Sequence, residues 1–185
     1  MDGLHLIPAA QTRDKTAVSP EQMAALCQQI KDEIEPDYIV IDSPAGIEQG
    51  FKNALAGADE AIVITTPEVS AIQDADRIIS LIEANSGLRP SLIINRLRAD
   101  MVEEGNMMGI EDILDLLAVD LLGIVPEDEE VIVSSNQGVP VVHDTRARSG
   151  QAYRNIAARL DGQEVPFISM NGNSGFKALW KKIFS

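Results

Sequence analysis

The sequence has few cysteines, few aromatic residues and no long apolar run, and each shortage excludes a class of protein. Its single cysteine, Cys27, cannot form a disulfide within the chain, so we expect a reducing, cytoplasmic compartment. No apolar stretch approaches the ~20 residues that a transmembrane helix needs. Aromatic residues make up only 4% of the 185 residues. Ile, Leu, Val and Ala must therefore build the core.

Basic residues are scarce as well. The chain has 15 Lys and Arg against 29 Asp and Glu, a formal net charge of −14 at pH 7. Because nucleic-acid surfaces use Lys and Arg to neutralise phosphates, this balance argues against a nucleic-acid partner. Three of the lysines lie in the last ten residues, which contain no acid. The chain is thus predicted to combine an acidic body with a basic tip.

Short apolar runs alternate with helical patterns along the chain. We interpret four runs as strands, each closed by a polar turn, at residues 38–41, 61–65, 92–94 and 121–125. Runs that are apolar throughout are typical of strands buried on both faces of a parallel sheet. We therefore predict an α/β fold with a mostly parallel, doubly wound sheet and helices on both faces.

One of the predicted helices shows its start in the sequence. Ser19 can cap it, Pro20 suits the first helical position, and Gln22 completes a capping box. Cys27 falls on the apolar stripe of this helix. We interpret it as a buried packing residue rather than a nucleophile.

The run at residues 38–41 ends in Asp42 and continues through a Ser-Pro-Ala turn to Gly46. A carboxylate at the carboxyl end of a parallel strand can hold Mg²⁺, directly or through water. A following glycine lets a backbone N–H approach a phosphate. This pattern fits a Walker B acid that leads into a phosphate-sensing switch. An ordinary strand-to-turn connection is the alternative that these residues alone leave open.

Polar residues also follow the other predicted strands. Because the carboxyl ends of parallel strands meet at one edge of the sheet, these residues should converge there. An Asn side chain can bind the edge of an adenine, and a proline can pack on its face. The sequence therefore predicts a nucleotide at this edge, with ordinary turns again the alternative for each loop. The segments concerned are Thr65 to Glu68, Asn95 with Arg96, and Pro126, Glu127 and Asp128.

The last ten residues have the pattern of a basic amphipathic helix. Five bulky apolar residues recur at helical spacing on one face, and three lysines occupy the other, which is typical of a helix lying in a membrane surface. A terminal helix docked on the body is the alternative. We predict a flexible linker at 169–175 and a membrane-binding helix at 176–185. Its contact residues are Phe176, Lys177, Leu179, Trp180, Lys181, Lys182, Ile183 and Phe184.

Six motifs through the chain match one family. They lie at residues 8–15, 42–48, 58–61, 66–70, 124–128 and 135–141. With them the sequence resembles the MinD group of septum site-determining ATPases, within the deviant Walker A (ParA/MinD) P-loop family.

The resemblance implies roles for the residues at the sheet edge. Asp42 would be the catalytic Walker B acid, acting on Mg²⁺ through water. Gly46 would be the switch residue near the γ-phosphate of ATP. The base would be surrounded by Asn95, Arg96, Pro126, Glu127 and Asp128.

The resemblance also implies a cellular setting. The family is peripheral on the inner face of the cell membrane and binds anionic lipid. It forms a homodimer when ATP is bound, and it works with MinC- and MinE-like division regulators.

The sequence departs from the family at the phosphate-binding loop, because no G-x-x-x-x-G-K-[ST] motif occurs in it. We therefore expect residues 1–168 to form an incomplete P-loop ATPase domain that binds ATP poorly and does not hydrolyse it. A truncated gene or a mis-assigned start would explain this most simply. Two alternatives stay open, a flagellar-number ATPase of the same group and a non-catalytic module that binds membrane and partners. A DNA-partitioning relative is disfavoured by the acidic body and the tail.

Overall fold

A computed structural model describes residues 3–8, 18–43 and 46–169 of the chain. They fall into two compact units, which divide between Asp59 and Glu60. None of the helices within these described ranges is long and apolar enough to span a bilayer.

The first unit contains two helices, α1 (Pro20–Ile34) and α2 (Gln49–Ala56), which pack against each other. Helix α1 begins with the predicted capping box, in which Ser19 Oγ accepts from Gln22 N and Gln22 Oε1 accepts from Ser19 N. Cys27 is buried and unoxidised, as predicted. A Cβ at Gly57 would lie 2.7 Å from its sulfur, so the close approach of the chain to α1 requires a glycine there.

The predicted strand at residues 38–41 is wrong. The structure gives this segment no strand pairing, and Tyr38 and Val40 are 58% and 91% exposed. A strand buried on both faces needs a hydrogen-bonded neighbour and two covering layers. No strand among the described residues pairs with this segment, and its side chains are only half-buried or exposed.

The second unit is built on a three-stranded parallel sheet in the order β1-β2-β3. Its strands occupy the positions that the sequence predicted for the other three apolar runs. Helix α3 ends at Gly87, whose positive φ of 71° and N–H bond to Glu83 O form a left-handed C-terminal cap. In chain order the elements are β1 (Ile62–Thr65), α3 (Val69–Ser86), β2 (Ser91–Leu97), α4 (Ala99–Glu103), α5 (Ile110–Leu117), β3 (Asp120–Pro126), α6 (Glu129–Asn136), a 3₁₀ turn (Val141–His143) and α7 (Arg148–Leu160).

Helices cover both faces of this sheet. On one face, Ile93 of β2 packs with β3 residues and with Ala152 and Ile156 of α7. Ile64 of β1 pairs with Ile93 and therefore points to the same face, yet it is 63% exposed. The buried Val63 points to the opposite face, and α3 is the helix that packs on β1. The predicted parallel α/β fold is confirmed.

Candidate functional site

Strand β2 carries an irregularity at its carboxyl end. Ile94 pairs with Ile124 and Leu97 with Pro126, so Asn95 and Arg96 together oppose one residue of β3. Arg96 has a positive φ of 58°, a left-handed conformation that costs a non-glycine residue about 1–2 kcal/mol. Bulges and strained residues of this kind cluster beside functional sites, where they redirect a side chain.

The bulge aims Arg96 at the end of β3. Its Nε donates to Glu127 Oε2 at 2.8 Å and its Nη2 to Glu127 Oε1 at 3.4 Å. The hydrogen bond to Glu127, together with the charge of that carboxylate, raises the pKa of the Arg96 guanidinium above its ordinary value. Asn95 Oδ1 accepts from Arg96 N at 3.0 Å. This bond occupies the oxygen of the Asn95 amide and orients its NH₂ group away from Arg96 N, where it can donate to a ligand.

Asp128 caps two helices with one carboxylate. Its Oδ1 accepts from Glu130 N at 3.1 Å in the first turn of α6. Its Oδ2 accepts from Ser149 N at 3.0 Å and from Ser149 Oγ at 2.7 Å in the first turn of α7. Burial alone would raise the pKa of the Asp128 carboxyl, but these bonds and the nearby Arg148 charge outweigh it and hold the pKa below its ordinary value.

An open groove of about 820 Å³ lies at this edge of the sheet. Its volume is within the range of small-molecule sites. Segments from the carboxyl ends of all three strands line it, together with a methionine-rich loop that follows α4. The lining residues are Pro67, Glu68, Val69, Arg96, Arg98, Met101, Val102, Gly105, Asn106, Met107, Met108, Gly109, Asp112 and Glu127.

The structure thus brings five of the predicted site residues to one edge. Asn95 and Arg96 end β2, while Pro126, Glu127 and Asp128 end β3 and begin α6. They form a cluster that we call the base loop, defined as these five residues.

The other two residues predicted for the nucleotide site belong to the first unit. Asp42 is exposed, and residues 44 and 45, which follow it in the predicted switch, lie outside the described ranges. Gly46 has a φ of +99°, a conformation that side chains strongly disfavour. Within the described part of the chain, no three acidic, His or Cys side chains are grouped to hold a metal ion.

The predicted linker and membrane helix fall almost entirely outside the described residues, which end at Ser169. The structure therefore leaves residues 176–185 as a sequence prediction.

Sequence reasoning missed Ser149 and Arg148. Ser149 is completely buried and holds Asp128 from a position 21 residues further along the chain. No local pattern signals such a contact, because it depends on α7 beginning where β3 ends. The helix-capping pattern of Asp128 before two acidic residues was the one visible signal, and it points only to α6.

Comparison with known proteins gives a consistent result. No protein-family model matches the chain. It is 51% identical, over 185 residues and 99% of its length, to the septum site-determining protein MinD of Bacillus subtilis. The chain spans roughly two thirds of the length of such relatives, 68% of the Bacillus subtilis protein and 63% of the one from Synechocystis.

Solved structures agree with the sequence relatives. A MinC:MinD cell division protein complex from Aquifex aeolicus matches with a TM-score of 0.79 and 38% identity, over 83% of this chain and 64% of that one. A Pyrococcus horikoshii MinD complexed with Mg-ADP matches with a TM-score of 0.65 and 27% identity, over 77% of this chain and 57% of that one.

Proposed function

This chain belongs to the MinD family of septum site-determining proteins, and on that premise we propose that it serves in placing the cell-division site as an ATP-dependent, membrane-associating ATPase. The observation that carries this proposal is the 51% identity to a MinD over 99% of the chain. The base loop supports it independently, since its geometry suits one part of a nucleotide.

The base loop would hold the adenine. The NH₂ group of Asn95 can donate to a ring nitrogen, because the Asn95 carbonyl oxygen is held by Arg96 N. Pro126 ends β3 and is buried, so it would support the base loop from within the fold rather than offer the ring an open face. The pairing of Arg96 with Glu127 and the double cap made by Asp128 would keep these groups in place before the nucleotide arrives.

The phosphates and Mg²⁺ make different demands. Asp42 would bind Mg²⁺ through water, and Gly46 would bring a backbone N–H to the γ-phosphate. A nucleoside triphosphate also needs a cradle of backbone N–H groups and a lysine, and no such motif occurs among these 185 residues. We therefore expect the chain on its own to bind ATP weakly and to show no MgATP turnover.

Membrane attachment would come from residues 176–185, with the apolar side chains in the lipid surface and the lysines against anionic headgroups. One such helix gives marginal binding, and two on a dimer bind more firmly by effective concentration. A homodimer formed with ATP would thus place the protein on the inner face of the membrane only in its nucleotide-bound state.

The partner would be a division inhibitor of the MinC type, because a relative with 38% identity is solved as a MinC:MinD complex. A MinE-like regulator would be a further partner. A non-catalytic module with the same partners is the second candidate, because no phosphate-loop motif occurs among these 185 residues.

Deleting the coding segment for residues 18–169 in the source organism tests the proposed function. We expect septa to form at abnormal positions, and we expect the Bacillus subtilis relative to restore them. Normal septum placement would contradict the proposal, and normal septa with an altered number of flagella would support the flagellar alternative.

A further inference from the structure

The segment that follows α7 lies back along that helix. The chain turns at Gly162, which has a φ of +76°. Three side chains of α7 then bond to its backbone carbonyls in reverse order. Arg159 Nε donates to Val165 O at 3.0 Å, Asn155 Nδ2 to Pro166 O at 3.0 Å, and Arg148 Nη2 to Ser169 O. We call residues 165–169 the strap.

The spacing of these contacts fits an extended segment antiparallel to α7. Positions 148, 155 and 159 differ by seven and eleven residues, so they share one stripe of the helix. Eleven helical residues rise about 16 Å, and the extended strap covers about 13–16 Å. Helix and strap therefore stay in register from one end to the other.

Apolar contacts attach the strap to the core as well. Ile168 packs against the cluster of Ile93, Leu122 and Val125. The Arg159 guanidinium lies 4.0 Å from the centre of the Phe167 ring, close enough for a cation–π contact. Its Nη1 also donates to Leu122 O at 2.8 Å. Arg159 thus joins the strap to strand β3.

The far end of the strap is linked to the base loop through the first turn of α7. Arg148, which holds Ser169, is the first residue of α7, and its neighbour Ser149 is bound to Asp128. The charge of Arg148 also acts on the Asp128 carboxyl. Ser169, the last described residue and the first of the predicted linker, is therefore held near the carboxyl edge of the sheet.

We propose that the strap is a positioning device, held by Arg148, Asn155 and Arg159, which makes the membrane-binding segment leave the domain beside the base loop. The proposal rests on the proposed function in taking residues 176–185 as that segment. Without the strap, the free tether would run from about residue 161 instead of residue 170. On a dimer, this longer tether would lower the effective concentration of the second tail roughly fourfold.

The single tryptophan, Trp180, provides a direct test by energy transfer in solution. One acceptor dye is placed at Glu129→Cys beside the base loop. A matched one is placed at Asp120→Cys, at the opposite end of β3 and about 20 Å away. Both are made in the full chain with Cys27→Ala. We expect severalfold more transfer to the label at 129. Equal transfer to both labels would overturn the proposal.

Release of the strap gives the second arm. The double variant Arg148→Gln with Asn155→Ala removes two of the three strap contacts and keeps the Arg159 contact to β3. We expect the difference in energy transfer between the two labels to fall. We also expect chymotrypsin to cut faster after Phe167. Arg154→Gln is the control, because Arg154 lies on the same helix but bonds to Val142 O. A difference that survives in a folded double variant would refute the role of these side chains. Neither experiment uses membrane or nucleotide. A negative result would therefore refute the role of the strap without bearing on the proposed function, which vesicle binding and septum placement test separately.

Discussion

Arg96 combines a strained backbone with a side chain that the proposed function assigns to the nucleotide site. Its left-handed conformation opposes stability, while its exposed ion pair with Glu127 contributes little. Stability alone therefore does not account for Arg96, which agrees with the proposal that its side chain serves the nucleotide site.

Two substitutions separate these effects. Arg96→Gly and Arg96→Ala both remove the ion pair, but only glycine relieves the positive φ. We expect the glycine variant to exceed the alanine variant by about 1 kcal/mol in free energy of unfolding, as measured by urea denaturation. Equal stabilities would mean that the backbone at this bulge relaxes.

Asp128 has the opposite character, because it stabilises two helix starts. We expect Asp128→Asn to lower the free energy of unfolding by about 1–2 kcal/mol at neutral pH. The amide carries no charge, and its NH₂ group would face N–H and O–H groups that also donate. Asp120→Asn, an exposed strand-end carboxylate, should have little effect.

The sign of the pH dependence follows from the lowered pKa of Asp128. A carboxyl whose pKa is depressed on folding contributes its stability above the ordinary value near 4 and loses it as pH falls through the folded pKa. The gap between the unaltered chain and Asp128→Asn should therefore shrink below about pH 4. A gap that is constant down to acid pH would contradict the charged-cap account.

Strand β3 shows how elements are fitted together. It pairs with β2 through a shift after Leu92, so Leu122 and Gly123 both reach the α7 side. A Cβ at Gly123 would lie 2.2 Å from Ile156 Cγ1. The glycine is thus required by the close approach of helix and sheet.

We expect Gly123→Ala to cost about 1–3 kcal/mol of unfolding free energy through overpacking. The cost should be smaller in an Ile156→Ala background, because the alanine removes the clashing atoms. A double-mutant cycle in urea would measure this coupling, and additive effects would show that α7 shifts to make room.

On the scale of the whole molecule, charge and tail act together. Residues 1–175 carry 12 basic and 29 acidic groups, so the body is repelled by an anionic surface that attracts the three terminal lysines. Full burial of five bulky side chains would contribute at most roughly 7–15 kcal/mol, and the lysines about 1 kcal/mol each. Ordering the helix costs about 1–2 kcal/mol per residue, which leaves the binding of one tail marginal.

Because the balance is marginal, a single change in the apolar face should decide it. We expect Trp180→Glu to abolish co-sedimentation with vesicles of equal parts phosphatidylglycerol and phosphatidylcholine. Ser185→Glu adds the same charge without removing an apolar contact and should only weaken binding. Unchanged co-sedimentation of the Trp180 variant would contradict the membrane role of the tail.

The sequence by itself determined the elements whose signals are local. Ser19 and Gln22 marked the start of α1, and continuous apolar runs marked all three strands of the sheet. The family also followed from motifs in the sequence. These features depend on neighbouring residues, whose propensities and hydrogen bonds are set over a few positions.

Tertiary structure alone decided the rest. Tyr38 to Ile41 have strand composition, but a strand also needs a partner, and partners are supplied from distant parts of the chain. The left-handed Arg96, the Asp128–Ser149 bond and the strap on α7 likewise depend on contacts between residues far apart in sequence. Register shifts and helix placement create such contacts, and neither is encoded in a local pattern.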